Sequence, residues 1–324
     1  MKTRSNPKST AVSANWKPVD IYQRVTDLIV KRMEEGFFPW RKTWLVTEDG
    51  SVELPRNYLT GRVYSGINLM LLGSLPYARP YYLTFNQVKQ LGGTVRKNAS
   101  GAMVVFWKVE TEEEATKRGE PTSRRFLLRY YYVFNITDVE DIDFKLPVLT
   151  PVVPKPTDET VTSCRAIMDA MPNPPAIHYR NTNRAFYNAK RDMINMPKPE
   201  NFETSANFAV IAFHELIHST GHASRLNRPE LAKPNKFGSR NYAKEELTAE
   251  IGACYLAAVS GIDVTQATIL DNSVGYLQNW LQALKNDKTL IIKAAGLAQK
   301  AADYVLGATS AELPELEEPA VATC

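Results

Sequence analysis

Cysteine is scarce in this 324-residue chain, and the three present, Cys164, Cys254 and Cys324, are odd in number and far apart. They fit a reducing cytoplasm and argue against a disulfide framework. No stretch approaches the roughly 18 uncharged apolar residues that a membrane helix needs. The opening segment, Met1 to Lys17, is polar and basic and has no apolar core of a secretory signal, so a cytoplasmic location is expected. There is no phosphate-cradling glycine loop and no helix-turn-helix signature, so neither nucleoside-triphosphate hydrolysis nor duplex base readout is expected. Histidine is also rare. There are four, His178, His214, His218 and His222, and three of them fall within nine residues.

What is present is an ordinary globular composition, 44% apolar and 23% charged. The length suggests two domains and enough chain to bury two cores. The net charge of +4 hides an asymmetry: residues 1–109 hold 16 Lys and Arg against 7 Asp and Glu, a balance of +9, so the remainder sums to −5. A basic front half suggests a polyanionic partner, with a merely solubilising surface as the alternative.

Residues 1–17 read as a disordered leader. Ile21, Val25, Leu28, Ile29 and Met33 fall at helical spacing after Asp20, a cap, and before Gly36, a stop. Short helices are predicted at 68–75 and 85–91, the second capped by Thr84. Strands are predicted at 103–109 and 126–136, with a charged loop at 110–125 between them. Pro147, Pro151, Pro154 and Pro156 mark a stiff linker, placed at 147–159. It separates a domain at 18–146 from one at 160–307, and an acidic disordered tail, 308–324, follows. Within the second domain the pattern predicts strands at 176–181 and 185–197 and helices at 161–171, 205–220, 243–260, 263–284 (in pieces) and 290–306.

The chemistry concentrates in His214-Glu215-Leu216-Ile217-His218. Two imidazoles four residues apart stand one turn apart on one helix face and can share a tetrahedral Zn²⁺. Glu215, beside the first His, can serve as general base towards a metal-polarised water. Mn²⁺ and Co²⁺ suit similar donors. A third protein ligand is required. His222 lies one turn on, but Gly221 is expected to end the helix first. The run matches the metzincin signature as far as Gly221, yet that signature then needs a His where Ser224 stands. Glu245, Glu246 and Glu250 on the following helix resemble the glutamate-zincin pattern. Its match makes Glu246 the ligand and Glu250 the carboxylate supporting His214, with Glu250 as ligand the competing assignment. His222 and Tyr242 are candidates for lining the cleft. Arg225 and Arg228 are expected to be structural, Cys254 to be core, and His178 to stand alone.

Residues 36–109 interleave aromatic and basic side chains, the composition of a single-strand-binding groove, in which bases stack and cations neutralise the backbone. Candidates for DNA contact are Arg41, Lys42, Trp44, Arg56, Tyr58, Arg62, Tyr64, Arg96 and Lys97. Only one of Trp40 and Trp44 is expected to be core.

The stretches Gly36–Trp44, Pro55–Asn68, Tyr82–Phe85 and Gly93–Lys97 resemble the N-terminal domain of the ArdC family of plasmid antirestriction proteins, a domain also found in conjugative-plasmid primases of the TraC type. Asn98 stands where a Gly is usual. His214–Leu226 with Glu245–Glu250 resembles the zincin-like domain that follows in that family. The likeness runs from about residue 20 to residue 306. It implies an α+β chain of two domains: an N-terminal α+β single-stranded-DNA-binding domain and a mainly helical zincin-like metallopeptidase domain with a small sheet. It also implies protection of an incoming plasmid strand, during conjugation, from host restriction endonucleases. Two further readings stand beside it. One is a single-strand-binding protein with a structural, non-proteolytic zincin half. The other is a DNA-independent cytosolic metallopeptidase acting on a host protein. For any peptidase reading, Phe186–Ile194 is the expected edge strand for docking a peptide.

Overall fold

In the computed structural model, which describes residues 19–41, 44–48, 51–109, 126–151, 157–232, 239–263 and 273–308, the first helix, α1 (Ile21–Glu34), begins where expected. Asp20 accepts the Gln23 N–H at 3.1 Å, and Val25, Ile29 and Met33 turn one apolar stripe inward. The leader, the loop at 110–125 and the tail beyond residue 308 lie outside the described residues, as does Lys42.

Next come β1 (Leu45–Thr47), β2 (Val52–Glu53), β3 (Arg56–Asn57), α2 (Ile67–Gly73), β4 (Tyr81–Thr84) and α3 (Phe85–Gln90). Thr84 and Gln87 form a reciprocal capping box at α3. Then β5 (Thr94–Val95), β6 (Ala102–Val109), β7 (Phe126–Asn135), β8 (Val139–Glu140) and β9 (Leu149–Pro151) complete the N-terminal half. Its main sheet has the order β3-β4-β7-β6. The β9 strand falls within the proline-rich stretch expected to be a linker and pairs antiparallel with β1. Asn98 has φ of 68°. That left-handed conformation suits glycine, and asparagine tolerates it better than most residues do.

The C-terminal half runs α4 (Thr157–Ala170), β10 (Ala176–Arg180), β11 (Phe186–Asn188), β12 (Met193–Pro197), α5 (Ser205–Thr220), α6 (Pro229–Ala232), α7 (Arg240–Val259), α8 (Ser273–Asn286) and α9 (Leu290–Val305). The strand expected across 185–197 is two strands, because the chain reverses through Asp192 at φ 47°. In the order β10-β12-β11 the middle strand is β12, so of the expected docking segment only Phe186–Asn188 is a sheet edge.

The mixture of helices with small sheets is the expected α+β class, and two small apolar clusters, around Leu83 and around Val133, lie within the N-terminal half beside a larger one that crosses both halves. The larger cluster runs from Val25, Met33, Trp40 and Ile67 through Phe208 and Leu247 to Val305. Both Trp40 and Trp44 are buried, at 2% and 8% exposure, where only one was expected. Trp40 packs edge-on against Trp280 at 6.1 Å, Thr26 Oγ1 donates to the Lys288 carbonyl, and the Tyr255 hydroxyl donates to the Gly66 carbonyl at 2.8 Å. None of these pairings between halves has a sequence period, so spacing alone does not reveal them. The described residues contain no helix long and apolar enough to cross a membrane.

Candidate metal centre

Helix α5 is apolar nearly all round, with Phe208, Val210, Phe213, Leu216 and Ile217 all fully buried. Such a helix sits inside a fold, so polar side chains on it are buried as well. Thr204 caps it by accepting the Asn207 N–H at 3.1 Å. Helix α7 crosses it at close range because residue 252 is glycine: a Cβ there would lie 2.9 Å from Ile217 Cδ1.

This packing gathers His214, His218 and Glu246, whose donor atoms all lie within 4.8 Å of one another. The two Nε2 atoms are 3.1 Å apart, and the Glu246 oxygens lie 3.6 Å from His214 Nε2 and 3.7 Å from His218 Nε2. Tetrahedral ligands about 2.0–2.1 Å from one ion stand about 3.3–3.4 Å apart, so the triad has the spacing of three corners. For His218 the tautomer fits as well. His218 Nδ1 lies 3.0 Å from Glu245 Oε1, which holds the proton on Nδ1 and leaves Nε2 as the donor.

Glu245, which its charged sequence neighbours place on a solvated helix face, is instead buried. It is 5% exposed and takes two hydrogen bonds from Arg228, Nε to Oε2 at 2.9 Å and Nη2 to Oε1 at 2.6 Å. Burial pushes its carboxyl up, but the hydrogen bonds from His218 and Arg228 outweigh that and bring it down to about 2. Arg228 also donates to the Ile217 carbonyl at 2.8 Å, closing the C-terminal end of α5. Its guanidinium lies against Gly221, where a Cβ would be 2.9 Å from Nη2. Gly221 therefore ends the helix as expected, but by admitting Arg228 and not by a left-handed turn.

Glu250 is fully buried and faces the other nitrogen of the His214 ring, with Oε2 3.9 Å from Nδ1. Neither of these two atoms has a hydrogen-bond partner among the described residues. Glu250 Oε1 accepts from Arg41 Nε at 3.0 Å and Nη2 at 2.7 Å. Glu215 is 9% exposed beside His214. Burial lowers the His214 pKa, but Glu246, Glu215 and Glu250 overcome it and hold the imidazole up at about 9. Four carboxylates, Glu215, Glu245, Glu246 and Glu250, thus surround two neutral-capable imidazoles against two guanidiniums, Arg41 and Arg228. With both imidazoles neutral, as ligands to a metal must be, that leaves an excess of two negative charges, which with three converging donors fits a divalent cation.

The remaining candidates are placed as follows. His222 lies in the turn after α5, its Nδ1 2.8 Å from Ser224 Oγ, outside the triad. Tyr242 lines a cleft of about 320 Å³ with Arg240 and Trp280, and none of the three triad residues lines it. Arg225 closes on Asp192 and the Ser219 carbonyl. His178 is exposed on β10, and Cys254 is buried at 1% exposure.

In the N-terminal half, Arg41 is committed to Glu250 and Trp44 lies against Gly73 in the core. Tyr58 is packed edge-on against Phe144 at 4.9 Å, and Tyr64 against Tyr82 at 6.4 Å. Arg56 pairs with Glu53 at 3.1 Å, and Arg62 is half-buried. Arg96, paired with Glu140, and Lys97 are exposed. The structure adds others. Arg24 lies 5.8 Å from both the Tyr130 and Tyr132 rings, Lys89 lies 4.6 Å over Phe85, and Trp107 is 45% exposed. Period-two alternation finds the strand residues among these, since Trp107↔Leu128 and Val105↔Tyr130 put Trp107 and Tyr130 on one sheet face; Arg24, Phe85 and Lys89 lie on helices and have no such signal.

Comparison with known proteins covers both halves. Residues 19–134 match the profile of the N-terminal domain of anti-restriction factor ArdC, and residues 169–297 match that of a zincin-like metallopeptidase. A DNA primase TraC of Escherichia coli is 32% identical over 91% of this chain. The chain spans only 28% of that primase's length, and 20% of a second TraC primase. An uncharacterized Sinorhizobium fredii protein, y4eC, is 31% identical, with 89% of this chain matched to 92% of it. The Mn(II)-bound crystal structure of the antirestriction ArdC protein from plasmid R388 superposes with a TM-score of 0.70 at 34% identity, covering 90% of this chain and 98% of that one. With both halves matched in order and nearly the whole of a solved relative covered, the chain belongs to the ArdC family of antirestriction proteins.

Proposed function

We propose that this chain binds the single-stranded DNA of an incoming plasmid in the cytoplasm, shields it from host restriction endonucleases, and carries a metallopeptidase-type centre. The observation that carries this reading is the pairing, in one chain matched to 98% of the solved ArdC relative, of an intact His214, His218 and Glu246 triad with a basic, aromatic N-terminal half. The triad would hold a divalent ion. The two imidazoles and one carboxylate suit zinc, and manganese, the ion in the R388 relative's structure, or cobalt also fits.

A metal there supplies Lewis acidity and lowers the pKa of a water towards about 7. Glu215 serves as general base, carrying a proton from the attacking water to the leaving amine nitrogen. Glu245 keeps the His218 proton on Nδ1, and Arg228 keeps Glu245 ionised. A host protein would dock as an extended strand along Phe186–Asn188. In the N-terminal half, Arg24 with Tyr130 and Tyr132, Lys89 with Phe85, and the Arg96–Lys97 turn offer cations beside open rings for an unpaired strand.

Fluorescence anisotropy on the full chain, with labelled single strand and matching duplex across a salt series, tests the DNA reading. Preference for the single strand is expected, with log affinity falling against log salt at about −0.7 per phosphate contacted. No binding at low salt would leave a DNA-independent peptidase. Glu215→Ala, assayed for plasmid protection and peptide cleavage, tests the rest. Loss of cleavage with metal and DNA binding intact is expected, and protection that survives the change would mean that shielding alone performs the function.

A further inference from the structure

The buried carboxylate of Glu250 has an unusual source of compensation. Its guanidinium partner, Arg41, lies 209 residues earlier, in the segment between α1 and β1. The Arg41 side chain is 18% exposed and the Glu250 side chain not at all. Both Arg41 nitrogens bond to one oxygen, Oε1. That leaves Oε2 turned to His214 Nδ1 at 3.9 Å, and both facing atoms are buried without hydrogen-bond partners among the described residues. A shift of about 1 Å would join them in a charge-assisted hydrogen bond.

We propose that Arg41 is a positioning residue of the metal centre, reaching from the N-terminal half to fix Glu250 against His214, so that metal affinity in the C-terminal half depends on the N-terminal segment. The inference rests on reading His214, His218 and Glu246 as a metal centre. Coordination through His214 Nε2 requires the proton on Nδ1, and Glu250 Oε2 is the acceptor facing that proton. Arg41 takes up Oε1 through two hydrogen bonds, which fixes the carboxylate and turns Oε2 towards that nitrogen. The Phe38 ring lies 4.7 Å from the Arg41 guanidinium, and the Arg41 N–H bonds the Phe38 carbonyl at 3.0 Å, so the segment presents the side chain from a fixed position. By linkage, the coupling works both ways: metal bound at the triad must tighten the hold on residues 38–41.

The experiment is calorimetric titration of Mn²⁺ into the chelator-stripped full chain and its variants Arg41→Met, Arg41→Lys, Glu250→Gln, the double variant Arg41→Met/Glu250→Gln, and His214→Ala. Arg41→Met is expected to weaken Mn²⁺ binding about 10–100-fold, with Arg41→Lys losing less and the double variant no weaker than the worse single. Melting of the metal-free forms separates this effect from general destabilisation. Mn²⁺ affinity in Arg41→Met within about twofold of the parent, while His214→Ala binds none, would overturn the proposal and leave the metal centre standing. Parent-like binding by His214→Ala would remove the metal reading itself. Should Arg41→Met fail to fold, amide exchange on the unmodified chain decides. Saturating Mn²⁺ should slow exchange at 38–41, and no change there overturns the coupling.

Discussion

Around His214, charge is buried and answered at short range: Glu245 by Arg228 and His218, Glu250 by Arg41. On the surface of the N-terminal half, cations lie beside aromatic rings, as Arg24 of α1 does with Tyr130 and Tyr132. The first arrangement is rigid and costly to disturb, because each buried charge depends on its partner. The second is open, and each contact is worth little until a ligand covers it. The difference teaches where each half can tolerate change. In the C-terminal half a lost partner damages the fold and the site together. In the N-terminal half binding and stability should separate.

The largest expected effect is at the triad. His214→Ala, His218→Ala or Glu246→Ala should each abolish tight binding of Zn²⁺ or Mn²⁺ by the stripped protein in calorimetric titration, with the metal-free chain still folded. Full affinity in Glu246→Ala would move the third ligand to Glu250.

Next is the buried pair. Arg228→Met leaves Glu245 without its guanidinium and should cost about 3–5 kcal/mol in denaturant unfolding. Arg96→Ala, on the exposed Arg96–Glu140 pair, should cost under about 1 kcal/mol. Equal losses at the two sites would erase the contrast between buried and surface charge.

The third test asks whether the aromatic surface is separable from the core. Trp107→Ala should weaken single-strand binding by about 1–3 kcal/mol with little change in melting. A Trp107→Ala chain that melts early but binds normally would make this ring structural, as Trp44 is.

The smallest effect is in acid. Asp192 is pushed up by burial, but hydrogen bonds from Arg225 and Tyr187 outweigh that and hold it below its ordinary value of 3.8. A folded pKa below the unfolded one gives stability that is present above about pH 3.8 and lost as pH falls through the folded value. Its side chain is 32% exposed, so the contribution should be under about 1 kcal/mol. Asp192→Asn should flatten the acid limb of a melting-temperature profile. An unchanged limb would assign acid sensitivity to another carboxylate.

Spacing made the ligand helix legible because histidines four apart must share a face, and the capped, apolar run 205–220 can form only a buried helix. The glutamates on α7 were harder. Glu245 follows Lys244 and precedes Glu246, so its neighbours in sequence suggest a solvated face, and only Arg228 folding back over Gly221 makes it an interior residue. Composition marks residues 36–109 as DNA candidates, but it does not distinguish a stacking ring from a core ring. Trp44, Tyr58 and Tyr64 turn inward, whereas Trp107 stays at the surface.

The chain's own order of residues determined the helix with its two histidines and neighbouring glutamate, the caps at Asp20, Thr84 and Thr204, and the excess of positive charge in the first third. These are local properties, set within a few turns of chain. Tertiary structure alone decided that Arg41 meets Glu250 across 209 residues, that Arg228 locks Glu245, and that the largest apolar cluster crosses both halves. Those contacts depend on which buried faces meet, and a buried charge selects whatever partner the packing delivers to it, however distant in sequence.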